Sequence, residues 1–382
     1  MMENKVLVLA SVASMIDQFN MPNIKLLKEM GYDVHVACNF NEGNTCSDEQ
    51  ITTLKNNLFK IDVKFHQIDF KRNALRLIDN VKAYKQVHKL ASDYKYKFIH
   101  CHSPIGGVVG RLVGKTTNTK VIYTAHGFHF YQGAPLKNWI IYYPIEKWLS
   151  RYTDVLITIN KEDEERARLS FNARKVCYIP GVGVPVDKYK DNELNVDEKK
   201  KELSIPKEAF VVLSVGELNK NKNHETVIRA IKKLNNKNIH YVICGRGPLR
   251  SRLEKIIDEM NLTSNIHLVG FRSDIKDIYK ISDLFVFPSF REGLSVALME
   301  AIASGLPIVA SNIRGNTDLI KHNINGYLIN ENSIEDYASK IKCVYDGDVK
   351  LKKVDLNGVN FDVAEIMKVM REIYLKYSKK DK

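Results

Sequence analysis

The sequence predicts an α/β protein with two parallel-sheet halves, on three observations. The chain opens as strand, loop, helix, strand: apolar Lys5–Ala10, polar Ser11–Asn20, helical Met21–Met30 ended by Gly31, then Asp33–Cys38. That order favours a parallel sheet. A second apolar series restarts at Phe210–Val215. Between the two, Gly181–Lys207 carries glycine, proline and the charge run Asp197–Glu202, the composition of a domain boundary. Two apolar series joined by a polar stretch imply two cores and a cleft.

Composition agrees. The 382 residues suffice for two full cores, and 44% hydrophobic with 27% charged residues is ordinary for a globular protein. No apolar run approaches the roughly 18 residues that span a bilayer. The run Val6–Ala10 is too short for the apolar region of a signal peptide and reads as a buried first strand. Six scattered cysteines without a CxxC pair argue against a zinc site or a disulfide framework, and a reducing cytosol is the expected compartment. The net charge of +13 admits nucleic acid, an anionic membrane face or phosphorylated substrates as partners.

In the first half, the opening loop lacks GxGxxG, which weakens a dinucleotide reading. Leu54–Asp69 predicts a further helix and strand. Lys71–Lys97 is basic, through Lys71, Arg72, Arg76, Lys82, Lys85, Lys89, Lys95 and Lys97. Leu75, Ile78, Val81, Tyr84, Val87 and Leu90 recur there at helical spacing. A surface helix with a solvated basic face accounts for this; a face resting on anionic lipid is the alternative. Phe98–Cys101 predicts a strand, His102–Gly107 a loop, Gly106–Gly114 a closely packed small-residue helix, and Val121–Thr124 a strand leading to Ala125-His126-Gly127. Ligands of open α/β sheets sit beyond the carboxyl ends of strands. His102 and His126 are placed there, and His102 reads as an ordinary loop histidine. Phe128–Tyr152 is dense in aromatics with Lys137, Lys147 and Arg151 interleaved, which suits an inter-helix core or a membrane interface equally. Asp154–Asn160 predicts a strand, Lys161–Leu169 a charged helix, and Val176–Pro180 closes the half.

In the second half, Phe210–Val215 leads into Gly216–Asn223, which carries Lys220 and Lys222, then the helix His224–Leu234. This is a phosphate site or a solvated loop. Strand His240–Cys244 ends in Gly245-Arg246-Gly247-Pro248, and strand Ile266–Val269 in Gly270-Phe271-Arg272. Strand Leu284–Phe287 delivers Pro288–Asn312, PSFREGLSVALMEAIASGLPIVASN, followed by strand Ile308–Ser311. Ser295 predicts an N-cap, and Gly305 with Pro307 a stop. The residues between are apolar around nearly the whole helix, which predicts burial. Glu300 is its single charge, and burying it is costly unless something hydrogen-bonds it. A buried Arg or Lys, or the hydroxyls of a ligand at a cleft rim, would serve. Glu292 lies in the preceding loop, where Gly293 lets a ligand approach. The helix N-terminus offers N–H groups to an anion. A carboxylate on each side of an anion site suits a nucleotide-sugar donor. Asp346-Gly347-Asp348 has the DxD form of metal-dependent transferases but reads as a turn, and Ala364–Tyr377 predicts a final amphipathic helix.

Glu292, seven residues, then Glu300, in the context PSxxEGxxxxxxEAxAxGxPIVAS, resembles the signature of the family 4 retaining glycosyltransferases. Phe128–Tyr152 resembles the bacterial capsule and exopolysaccharide enzymes among them, whose acceptors are polyprenyl-linked sugars. The resemblance implies the GT-B fold. Two Rossmann-like domains would face an interdomain cleft: an acceptor-binding domain at 1–185, a donor domain at 186–360, and a last helix at 361–382 packing back on the first domain.

It also implies roles. Glu300 would hold the ribose hydroxyls and Glu292 the sugar hydroxyls, with His126 beside the transferred sugar. The diphosphate would meet Lys222 and the amides of Gly293, Leu294 and Ser295, with Lys220 or Arg246 in support. Gly270, Phe271 and Arg272 would flank the base. Glu217 stands where relatives carry a clamping arginine, so a direct Glu217–phosphate contact is not expected. Arg314–Asp318 matches the GGxPE of relatives only in part.

No metal or cofactor is implied, and UDP is the first expected nucleotide, GDP the second. The expected partners are a nucleotide sugar, a lipid-linked or saccharide acceptor and an anionic membrane surface on its cytoplasmic face, without nucleic acid. Sugar-nucleotide epimerase or phosphorylase chemistry on a similar fold, a basic nucleic-acid-binding protein and an idle envelope scaffold are the rival readings.

Overall fold

A computed structural model describes residues 4–43, 46–71, 80–190, 194–348, 351–352, 354, 356 and 360–378. The chain divides into two compact units, Met1–Val182 with Ala364–Lys382, and Gly183–Val363.

Among the described residues the first unit holds seven strands: β1 (Lys5–Val12), β2 (Asp33–Asn39), β3 (Lys64–Gln67), β4 (Phe98–His102), β5 (Lys120–Ala125), β6 (Val155–Thr158) and β7 (Lys175–Tyr178). Their order is β3-β2-β1-β4-β5-β6-β7, and every pairing is parallel. The order reverses between β1 and β4, where an open α/β sheet places a crevice at the strands' carboxyl ends. Strands buried on both faces explain the unbroken apolar runs that the sequence shows.

Helix Pro104–Thr117 packs on this sheet through glycine. A methyl group on Gly107 would lie 2.4 Å from the Tyr123 ring. From the same helix the fully buried Arg111 reaches Glu146 of helix Leu136–Ser150 at 2.7 Å and lies 4.2 Å from the Tyr123 ring centre. Helix Val363–Ser378 joins this unit, where Tyr374 stacks on Phe98 at 5.6 Å.

The second unit holds β8 (Phe210–Val215), β9 (Ile239–Cys244), β10 (Ile266–Gly270), β11 (Leu284–Phe287), β12 (Ile308–Ser311) and β13 (Tyr327–Ile329). The order is β10-β9-β8-β11-β12-β13, again all parallel. Here the reversal lies between β8 and β11, and the loops leaving those two strands carry Lys222 and Glu292.

Two expectations need correction. Ser11–Asn20 is not a loop: Ala13–Phe19 is helical, because Ala13 and Ile16 are fully buried against the sheet. Its N-cap, Val12, makes no side-chain hydrogen bond, so no capping residue signals a start. In the basic stretch, Arg72, Leu75, Arg76 and Ile78 lie outside the described residues. The helix there is Val81–Tyr94, and it buries Ala83, Val87 and Ala91 while Val81 is exposed. Its basic face is offset by acids, Lys82 with Asp69 and Lys89 with Asp93, each at 2.7 Å. Asp346-Gly347-Asp348 is the expected turn: it ends helix Ile334–Tyr345, with Asp346 paired to Lys342 and Gly347 at φ +73°.

Candidate active site

In the second unit the carboxyl ends of the strands gather most of the residues singled out from the sequence. After β8, Asn219 caps a 3-10 turn, Lys220–Lys222, by accepting from the Lys222 backbone N–H at 3.0 Å. This turn is tied to the loop after β11. The Phe290 N–H donates to the Asn221 carbonyl at 2.8 Å, and Asn221 Nδ2 to the Arg291 carbonyl at 2.9 Å. Asn223, in the left-handed conformation at φ 52°, reaches the Pro288 and Glu331 carbonyls. So braced, Lys222 Nζ lies 2.7 Å from Glu292 Oε1, with both side chains mostly buried, and 4.6 Å from the Phe287 ring centre. The sequence assigned one to phosphate and the other to sugar; the fold pairs them. Glu217 points elsewhere: it is exposed and accepts from Asn219 Nδ2 at 2.9 Å.

Two glycines let these loops touch. A methyl group on Gly245 would lie 1.9 Å from the Gly216 carbonyl oxygen. One on Gly315 would lie 2.2 Å from the Gly293 carbonyl oxygen, and Gly315 sits at φ +83°, where a side chain is strained. The partial GGxPE match thus keeps the glycine that fits against the Glu292 loop, ahead of the short helix Asn316–Leu319.

Helix Val296–Ala303 is capped as the sequence predicts. Ser295 Oγ accepts from the Leu298 N–H at 3.4 Å. At the other end Gly305, at φ +73°, closes a Schellman turn: its N–H donates to Ile302 and that of Leu306 to Ala301. Leu294 and Ser295 are buried, and Gly293 is half-buried. Burial is not uniform around the helix, as an all-apolar circumference had implied. Leu298, Met299, Ala301, Ile302 and Ala303 are buried, while Val296, Ala297 and Glu300 form a half-open stripe. The acid therefore lies on the open side.

Its partners are two tyrosines. Tyr189 donates to Glu300 Oε1 at 2.7 Å, and Tyr279, 3.2 Å from Oε2, also reaches the Ala297 carbonyl at 3.0 Å. Burial raises the carboxyl pKa, and the two hydroxyls work against that rise. Among the described residues no cation is paired with it. The ionised group keeps acceptor capacity beyond these bonds.

Arg246 and Phe271 meet across β9 and β10, with the guanidinium 5.9 Å from the ring centre. Both are exposed, and the Gly245 N–H donates to Gly270 at 2.8 Å. The Arg272 side chain is committed to carboxylates, at 2.5 Å from both Asp274 and Glu202. Lys199 joins the same acids. Arg272 thus offers this site its backbone more than its charge.

In the first unit His126 follows β5 at the carboxyl edge of the sheet. His102, at the end of β4, is not a free loop residue: its Nδ1 lies 3.2 Å from His126 Nε2. His100, two residues back, bonds Thr124 Oγ1 at 2.9 Å and the Tyr374 hydroxyl at 2.8 Å. Burial pushes the pKa of His126 down to about 4 and that of His100 to about 3, with His102 lowered for the same reason. All three are neutral at pH 7, so His126 serves as a hydrogen-bonding group and not as a cation.

Sequence reasoning missed Tyr189, Tyr279, Gly245 and the role of His102. Spacing cannot show the tyrosines, because Tyr189 is 111 residues from Glu300. The weak GxG after β9 was the one available sign of Gly245. Among the described residues no group of three His, Cys, Asp or Glu gathers as metal ligands. No helix among them is long and apolar enough to cross a membrane.

Comparison with known proteins bears on this arrangement. Residues 195–358 match the family described as Glycosyl transferases group 1, and residues 5–160 the family described as Glycosyl transferase 4-like. The Bacillus subtilis protein EpsD, named as a glycosyltransferase, is 32% identical over 100% of this chain and 98% of its own length. An Escherichia coli enzyme named UDP-Gal:alpha-D-GlcNAc-diphosphoundecaprenol alpha-1,3-galactosyltransferase is 31% identical over 79% of this chain and 81% of its own. The crystal structure of Anabaena Alr3699/HepE in complex with UDP superposes with a TM-score of 0.76 at 19% identity, covering 97% of this chain and 100% of that one.

Proposed function

This chain belongs to the group 1, family 4-like glycosyltransferases of the GT-B fold, and from that premise we propose that it is a retaining enzyme using a UDP-sugar to extend a polyprenyl-linked saccharide in capsule or exopolysaccharide synthesis. That it is a glycosyltransferase of polysaccharide biosynthesis follows from its kinship. The donor and acceptor classes rest on the names of relatives: UDP bound in the Anabaena structure, and UDP-Gal with a diphosphoundecaprenol acceptor in the E. coli enzyme.

One observation carries the donor site. Glu300 sits on the half-open stripe of its helix, held by tyrosine hydroxyls and not by a cation. An acceptor group so placed suits a pair of ribose hydroxyls. Lys222 and the amides around Gly293 supply the positive field in which a departing diphosphate is stabilised. No metal is called on in this reading. Glu292 orients Lys222 at rest and exchanges that bond for sugar hydroxyls when the donor binds. The second unit takes the donor and the first the acceptor; His126, neutral, belongs to the acceptor-binding unit. The diphosphate leaves from the same face on which the acceptor oxygen attacks, and it takes the acceptor proton.

A thermal-shift panel of nucleoside diphosphates and their sugars tests this. UDP and one UDP-sugar should raise the melting temperature and GDP should not. A panel in which no nucleotide acts overturns the donor assignment. Turnover of a UDP-sugar into its epimer without acceptor would indicate an epimerase instead.

A further inference from the structure

Helix Leu136–Ser150 has its polarity reversed. A helix on a soluble surface turns polar residues outward. Here Leu136, Ile140, Ile141 and Trp148 are outward, and Leu136 and Ile140 are 73% and 66% exposed. At 100° per residue these four fall within a single 140° arc. Lys137, Lys147 and Arg151 fall in the same arc and are exposed. No acid shares it. The single carboxylate of the helix, Glu146, points inward to the buried Arg111. Trp148 packs edge-on against Tyr152 at 5.6 Å, and Lys115 lies 4.5 Å from the Tyr152 ring centre, so a further cation borders the patch.

We propose that this face docks on a bilayer containing anionic lipid, with the apolar side chains at the boundary between headgroups and acyl chains and the cations at the phosphates. Apolar residues ringed by lysine and arginine, with a tryptophan at the edge, are what an interfacial helix needs. The charge complements an anionic surface, and the acid-free arc separates this helix from the basic helix Val81–Tyr94, whose lysines are offset by Asp69 and Asp93. The buried Arg111–Glu146 pair fixes the rotation of the helix, so the apolar residues cannot turn inward. The proposal deepens the lipid-linked acceptor reading by naming how the enzyme meets the surface that carries that acceptor.

The test is co-sedimentation of the full chain with phosphatidylcholine vesicles, with and without about one third phosphatidylglycerol, an anionic content that draws basic residues. UDP-induced thermal shift is measured in parallel. The chain should pellet with the anionic vesicles and much less with the neutral ones. Lys147→Glu with Arg151→Glu should lower partition by about thirtyfold or more, since each cation near an anionic surface is worth roughly a factor of five. Ile140→Glu should lower it by about tenfold or more through lost insertion. Both variants should keep the UDP shift. If the wild type shifts with UDP yet ignores anionic vesicles, or if the variants bind vesicles as it does, the docking face is wrong while the transferase reading stands. Vesicle binding without any nucleotide shift would instead keep the face and sink the donor site. A dimer in light scattering that Ile140→Glu converts to monomer would assign the patch to a second copy and overturn the proposal.

Discussion

Tyr189 donates its hydroxyl to Glu300 Oε1 at 2.7 Å, joining the boundary segment to the donor-side helix across 111 residues. The bond makes an acid tolerable on a mostly buried helix without neutralising it. Replacing Glu300 by Gln removes the charge and one acceptor. UDP affinity should fall by about ten- to a hundredfold, as for hydrogen bonds to a charged group. The melting temperature should move little, because the side chain lies on the half-open stripe. Calorimetry with UDP and a melt of the same sample check both.

The Lys222–Glu292 pair predicts opposite effects from its two ends. Lys222→Met removes the cation facing the leaving group and strands a mostly buried carboxylate. Transfer should drop by about a hundredfold or more, and UDP should bind more weakly. Glu292→Gln releases Lys222, so UDP affinity should hold or rise while transfer falls. Titrations with UDP alongside initial rates separate the two. Equal losses of UDP affinity in both variants would dismiss the assigned roles.

Gly315→Ala places a methyl group against the Gly293 carbonyl at a positive φ. The strain of an unfavourable backbone conformation alone is about 1–3 kcal/mol. The substitution should lower both the urea midpoint and UDP affinity, because the loop it displaces carries the Gly293, Leu294 and Ser295 amides proposed to face the diphosphate. Gly133→Ala, at φ +86° with open space around it, is the control and should leave UDP binding unchanged.

Stability should fall on acidification. His126 and His224 have folded pKa values lowered to about 4 and His100 to about 3, each chiefly by burial. The unfolded chain binds protons at about pH 6.5, where the folded one does not. Stability is therefore complete above about pH 6.5 and is lost as pH falls toward 4 and below. Urea unfolding at pH 7.5, 6, 5 and 4.5 should show a midpoint that declines steadily below pH 6.5; a flat series would contradict the buried, neutral state of these rings.

Much of this was legible in the chain. Strands buried on both faces are continuous apolar runs, so Phe210–Val215, Leu284–Phe287 and Ile308–Ser311 were readable to the residue. The cap at Ser295 and the stop at Gly305 are local chemistry and were equally open. Helix Ala13–Phe19 escaped because nothing polar caps it and its burial comes from the sheet beneath. At the site, sequence named Lys222, Glu292 and Glu300 but not their relations. Partners such as Tyr189 are set by topology, which brings distant segments together. The stripe of Val296, Ala297 and Glu300 could not be found from periodicity, since residues apolar on every side do not say which side stays open.

The first unit is assembled from two stretches of chain that synthesis makes far apart in time. Its sheet is translated early, yet Tyr374, which stacks on Phe98 and bonds His100, arrives after the whole second unit. The nascent sheet must therefore wait with that flank uncovered while Gly183–Val363 emerges and folds. An early release of the ribosome before helix Val363–Ser378 would leave a finished second unit attached to an unsealed first one, a species that chaperones and proteases can recognise.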